Sequence, residues 1–176
     1  MASAIQATKA PARKGSLACY RWYPKVSRIQ AKAAQDVGRG SETLMTFARG
    51  DLFKAARRFV SGESRKALVV TGFYIPKAEH PAAESDGPVG ATEICAAIRD
   101  IGGDAWLVSD AWLVSDAWCE SVIRGAAKDV LPQDHVLIAP KGDSFDAWLD
   151  GTKTLIAEQH IDTVIFIERV GPASDG

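Results

Sequence analysis

The sequence predicts an α/β domain: an open, mostly parallel sheet in three layers, Rossmann-like, with helices on both faces. Three observations predict it. Short apolar runs rich in β-branched residues alternate with stretches of helical periodicity. Glycine or polar residues end those runs. The spacing between runs suits one crossover helix each, which implies parallel βαβ units. The 176 residues suffice for one domain with its own core, and 47% apolar with 24% charged residues is ordinary for a globular chain.

The elements follow in order. Asp51 is placed to cap a helix in which Leu52, Phe53, Ala56, Phe59 and Val60 share one face. Ala67–Thr71 is a buried strand that ends at Gly72. A loop with proline and glycine runs from Tyr74 to Gly90, and a helix starts near Ala91. Ile94, Ile98 and Ile101 share its face, and Gly102-Gly103 stops it. A second strand, Ala105–Val108, ends in Ser109-Asp110; a helix near Cys119–Ala127 groups Val122, Ile123 and Ala126. His135–Ile138 is a third strand. Phe145, Trp148, Leu149, Leu155 and Ile156 mark a further helix, and Thr163–Ile167 is the fourth strand.

One local feature interrupts the alternation. Asp104–Ser109 is repeated without change as Asp110–Ser115, and Asp116-Ala117-Trp118 begins a third copy. The repeat is far too short for a solenoid. Its even length keeps every side chain on its own face in a strand. Either the strand lengthens or the extra copy bulges into the next loop, and either Asp110 or Asp116 sits at the strand end.

Charge and composition exclude several classes. A net charge of −1 gives no electrostatic case for nucleic acid or an anionic membrane. No apolar run reaches the roughly 18 residues that a membrane helix needs. Cys19, Cys95 and Cys119 are odd in number and far apart, against a disulfide scaffold or a zinc site. Cys95 and Cys119 read as packing residues; His80, His135 and His160 have no metal-ligand spacing. Residues 1–35 hold Lys9, Arg13, Lys14, Arg21, Lys25, Arg28 and Lys32 but no acid. That is the composition of an organelle transit peptide, and equally of a disordered basic tail. The expected organisation is a tail-like segment over 1–35 and a domain over 36–176. The expected location is the mitochondrial matrix if the segment is a transit peptide, and the cytoplasm otherwise.

In an open parallel sheet, ligands bind beyond the carboxyl ends of the strands. Thr71-Gly72, the loop Glu84–Gly90, Ser109-Asp110, and Glu168-Arg169 all belong to that rim. Gly87 and Gly90 permit close backbone approach to a ligand. Glu84 and Asp86 are placed to hold a hard divalent cation or to work as acid and base. The plainer reading is that Ser85 or Asp86 only caps a helix or shapes a turn. Glu168 offers a third carboxylate, and Arg169 a guanidinium for a substrate carboxylate; a surface ion pair explains the same residues. Neither a P-loop nor a dinucleotide fingerprint is present.

Leu68–Pro76, Glu84–Ala91, Leu107–Asp110 and Ile167–Gly176, taken in order, resemble the motifs of the D-glutamate cyclase C-terminal domain family over about residues 40–176. The resemblance implies conversion of D-glutamate to 5-oxo-D-proline and water, with a divalent metal such as manganese, in mitochondria in animals. Glu84, Asp86 and Glu168 are then the candidate catalytic groups, with Glu84 and Asp86 as metal ligands. Thr71, Gly72, Gly87, Gly90, Asp110, Arg169, Asp175 and the helix start at Ala91 are the candidate substrate contacts. The expected partner is a small acidic metabolite. Family chains continue beyond the position of Gly176, so the resemblance also implies a partial domain. The alternatives are a non-catalytic module for small acids or nucleotides, and a phosphate-ester enzyme using the same loop.

Overall fold

A computed structural model describes residues 17–38, 40–62, 65–75, 79, 82–110, 116–140 and 142–169. The chain divides into two compact units, Met1–Gly62 and Glu63–Gly176.

The first unit is helical. A 3-10 turn, Leu17–Trp22, leads into α1 (Tyr23–Ala33), followed by α2 (Glu42–Phe47) and α3 (Asp51–Val60). Leu17–Ala33, within the segment read as tail-like, is therefore ordered as helix. Phe53 is the buried anchor, packed against the rings of Tyr20 and Tyr23. Gln30 ties α1 to the turn before α3: its amide nitrogen donates to the Ala48 carbonyl, and its oxygen accepts from the Gly50 N–H. Gly50 has φ of 85°, a left-handed turn that suits glycine. It also occupies the cap position expected for Asp51, which is instead the first helical residue and pairs with Lys54 at 2.8 Å.

The second unit has the predicted architecture. Its sheet comprises β1 (Lys66–Thr71), β4 (Asp104–Asp110), β5 (Val136–Ala139) and β6 (Thr163–Ile167), all parallel in the order β5-β4-β1-β6. Between them lie β2 (Tyr74–Ile75), β3 (Ala82–Ala83), α4 (Asp86–Asp100), α5 (Asp116–Ala127) and α6 (Ser144–Gln159). The chain winds outward from β1 through α4, β4 and α5 to β5. It then returns through α6 to place β6 on the other side of β1. Winding reverses between β1 and β6, so the C-terminal rim between these two strands is the topological switch point.

Alternation sorts the core. Leu68, Val70, Trp106 and Val108 pack with Trp148, Leu155 and Ile156 of α6. Ala67, Val69, Thr71, Ala105, Leu107 and Ser109 alternate with them and so point to the opposite face. Ala91, Cys95 and Ile98 of α4 and Ile123 and Ala127 of α5 are buried, and both helices contact this sheet. Full burial of a large apolar side chain such as Leu107 or Ile123 contributes about 1.5–3 kcal/mol. Cys95 is a packing residue, as expected, and burial pushes its thiol up to about 12. His135 is structural too: its ring stacks on Trp106 with centroids 4.8 Å apart, and its Nδ1 lies 3.1 Å from the Ala105 carbonyl.

Two local expectations are corrected. The helix expected near Ala91 begins at Asp86, so Gly87, Pro88 and Gly90 lie inside α4. Proline is tolerated in a first turn because the N–H it lacks has no intrahelical partner there. The expected loop from Tyr74 is a short antiparallel pair, β2 with β3, and the Glu84 N–H donates to the Phe73 carbonyl at 2.8 Å. In the duplicated region the first copy forms β4, which ends at Asp110. Asp116 starts α5, and residues 111–115 lie outside the described residues. Among the described residues no helix is long and apolar enough to cross a membrane.

Candidate active site at the switch point

Three carboxylates meet at the rim between β1 and β6. Glu84 follows the β2–β3 pair, Asp86 opens α4, and Glu168 follows β6 directly. Each contributes an oxygen, and these oxygens all lie within 4.8 Å of one another. Residues 84 and 168 are brought together by the parallel register of β1 with β6, in which Thr71 is paired with Ile167. Glu168 takes φ of 46°, an uncommon conformation for a side chain of its size and a form of strain that gathers at functional sites.

Gly87 makes the convergence sterically feasible. A Cβ at this position would stand 2.9 Å from Thr71 Oγ1, 3.0 Å from Glu168 Oε2 and 3.2 Å from Glu168 Cβ. The first turn of α4 therefore rests directly on the end of β1 and on the Glu168 side chain. Gly72, with φ of 134°, turns the chain away from β1, and its carbonyl accepts a hydrogen bond from Arg169 Nη1 at 3.3 Å.

The electrostatics match the geometry. Glu168 is exposed as a residue, yet partial desolvation of its carboxyl is the largest cause raising its pKa above the usual carboxylate value. Its hydrogen bond with Asp86 and the negative charges of Asp86 and Glu84 act in the same direction, while the Gly87 N–H opposes them. Glu168 thus holds a proton more readily than an isolated carboxylate would.

Two strand-end hydroxyls are buried, and that of Thr71 adjoins this cluster. Thr71 Oγ1 and Ser109 Oγ have no hydrogen-bond partner among the described residues. A buried polar group left in that state costs about 1–3 kcal/mol. The sequence places Ser109 on the rim beside Asp110 but gives it no role of its own. The only sign in the sequence was a polar residue closing an otherwise apolar strand.

The remaining candidates fall as follows. Gly90 lies one turn into α4, where an added Cβ would be 3.8 Å from Ile167; it serves helix-to-strand packing. Ala91 is buried within the helix, so the exposed helix start belongs to Asp86. Arg169 borders a cleft of about 290 Å³ on the α6 face, together with Val70, Val108, Ser109, Phe145 and Trp148. Asp110 closes β4. Asp175 and His80 lie outside the described residues.

The donor set fits a hard divalent cation. Carboxylate oxygens are the ligands that magnesium, manganese and calcium prefer, and among the described residues no thiolate or imidazole belongs to the group.

Carboxylates gathered at the switch point of a parallel sheet define a class: an α/β domain that takes a small ligand at its strand ends. Within that class, the model of the family described as D-glutamate cyclase-like, C-terminal, matches residues 29–176. The chain belongs to this family. Comparison with curated proteins gives no match.

Proposed function

We propose that the chain is a D-glutamate cyclase-like lyase that converts D-glutamate to 5-oxo-D-proline and water. Family membership supports the reaction class. The single observation that carries the reading is the convergence of Glu84, Asp86 and Glu168 within 4.8 Å.

The reaction sets clear demands. The substrate amine attacks the γ-carboxyl carbon; a C–N bond forms and a C–O bond breaks. The two protons lost by the ammonium leave with the departing oxygen as water, so no net proton is consumed. One carboxyl that first accepts and then donates a proton meets this demand. Glu168 suits it, because its raised pKa lies nearer to neutrality than that of an ordinary glutamate. Arg169, whose backbone adjoins Glu168, supplies a guanidinium for the substrate's other carboxylate. A divalent metal held by Glu84 and Asp86, within reach of Glu168, would supply positive charge that makes the γ-carboxylate electrophilic.

The test is direct. The chain is incubated with D-glutamate and Mn²⁺, and 5-oxoproline is measured by chromatography. Time-dependent formation that stops on chelation is expected. Folded protein that yields none would leave a binding module without catalysis.

A further inference from the structure

The net charge of −1 conceals an uneven division. The first unit, Met1–Gly62, holds 12 basic and 3 acidic side chains, a net charge of +9. The second, Glu63–Gly176, holds 9 basic and 19 acidic side chains, a net charge of −10. The balance of the whole chain therefore does not describe the field of the first unit. Its few acids are engaged elsewhere: Asp51 pairs with Lys54, and Asp36 accepts from the Gly40 N–H and the Ser41 hydroxyl. The same unit is little more than a third of the chain. Yet it carries nine of the thirteen large hydrophobic side chains that are exposed among the described residues.

Helix α1 sorts these groups by face. Tyr23 meets Phe53, and Gln30 binds the Ala48 carbonyl and the Gly50 N–H, so the stripe Tyr23, Ser27, Gln30 faces the interior of the unit. Lys25, Arg28 and Lys32 recur at i, i+3 and i+7 on the opposite side of the helix, and Arg21 precedes them at the same spacing. Among the described residues none of these four cations has a carboxylate within ion-pair distance. Arg21 and Lys25 lie over the Trp22 ring, 5.1 and 5.6 Å from its centroid, and Lys32 donates to the Gln35 amide oxygen. Trp22 and Ile29, 49% and 53% exposed, flank the basic stripe two helical turns apart.

We propose that the exposed side of α1 is a docking surface for an anionic lipid bilayer, with the helix lying in the plane of the headgroups. Arg21, Lys25, Arg28 and Lys32 meet the anionic headgroups, and Trp22 and Ile29 enter the interface beside them. Charge complementarity supplies the attraction: each basic residue near such a surface strengthens binding by about fivefold. Tryptophan suits this depth, because its ring is apolar and its indole N–H is polar. The apolar residues decide against nucleic acid. A phosphate backbone rewards the cations but gives Ile29 no apolar phase to enter. The proposal uses no residue of the carboxylate cluster, so it stands or falls apart from the cyclase reading.

The full chain is sedimented with vesicles of phosphatidylcholine alone, and with vesicles of phosphatidylcholine and phosphatidylserine at roughly two to one. Wild type is expected to partition onto the anionic vesicles, to ignore the neutral ones, and to be released by high salt. Lys25→Gln, Arg28→Gln and Lys32→Gln combined are expected to weaken partitioning about 10²-fold. Ile29→Ser is expected to weaken it about three- to tenfold. All these positions are exposed, so circular dichroism and thermal melts of both variants should match wild type. Lys25→Arg with Lys32→Arg keeps the charge and is expected to keep the binding. Failure of wild type to bind anionic vesicles, or binding that the triple variant retains, overturns the proposal. So does binding that is indifferent to Ile29→Ser and is matched by double-stranded DNA or polyglutamate, which would make α1 a site for polyanions instead.

Discussion

Asp86→Asn removes 5-oxo-D-proline formation while leaving the domain folded. Asp86 is exposed at the first turn of α4, where its carboxylate reaches the Gly87 N–H and meets the helix dipole. Loss of the dipole interaction costs only about 0.3–1 kcal/mol, and asparagine keeps the shape and an acceptor oxygen. The melting temperature therefore falls by about 1–8 °C. The chemistry changes far more. The negative charge that faces Glu168 and Glu84 disappears, and one anionic ligand for a cation is lost. Removal of a group engaged in proton transfer or charge stabilisation typically lowers turnover by about 10²- to 10⁴-fold. Steady-state assay of purified Asp86→Asn beside wild type, with a thermal melt of each, checks the expectation. Turnover within threefold of wild type contradicts it.

Gly103→Ala destabilises the second unit by about 3 kcal/mol, near the top of the usual range for overpacking. A Cβ at this position would lie 2.2 Å from the Arg65 carbonyl oxygen and 3.0 Å from that of Ile98. Both contacts are backbone, so no side-chain rotation relieves them. The surrounding bonds are those that join α4 to the sheet: the Gly103 N–H donates to Ile98 O, and the Asp104 N–H donates to Arg65 O. Relief of the clash disturbs the first paired residues of β1 and β4. Each kcal/mol shifts melting by about 4–8 °C in a domain near 100 residues, so a fall of about 12–24 °C is expected. Gly102 is the control. It has φ of 77° and open space around its missing Cβ, so Gly102→Ala meets backbone strain alone, about 1–2 kcal/mol. Equal melting of the two variants would contradict the steric account.

These glycines illustrate how far local pattern reaches. Gly102-Gly103 was legible as a helix stop, because a left-handed residue after a periodic apolar stretch has few other meanings. Gly87-Pro88 reads as loop from local pattern, yet lies inside α4. Both residues break helices in the interior, but the first turn has no intrahelical N–H bonds to lose. The β2–β3 pair was missed because two residues per strand are too few to show alternation. Leu17–Ala33 reads as a tail because its net basic charge hides the aromatic residues Tyr20 and Tyr23, which pack on Phe53.

The four long strands were plain from their apolar runs. The strand-end rule then placed Glu84, Asp86 and Glu168 on one rim. What local pattern did not carry was the order β5-β4-β1-β6, which decides which strand ends are neighbours. The unpartnered state of the Thr71 and Ser109 hydroxyls lies beyond reach for a related reason. An unpartnered hydroxyl is a property of packing, and it is invisible until the opposing helix is in place.

The account rests on the carboxylate cluster being a cation site, and Mn²⁺ titration monitored by electron paramagnetic resonance tests that most directly. Wild type is expected to bind one Mn²⁺ per chain, more tightly as pH rises, because binding displaces the proton that Glu168 holds above the ordinary carboxylate range. Glu84→Gln and Glu168→Gln are each expected to weaken binding at least tenfold, and the pH dependence should flatten in Glu168→Gln. Stoichiometric binding that both variants retain unchanged, or no binding by folded wild type, would contradict the account.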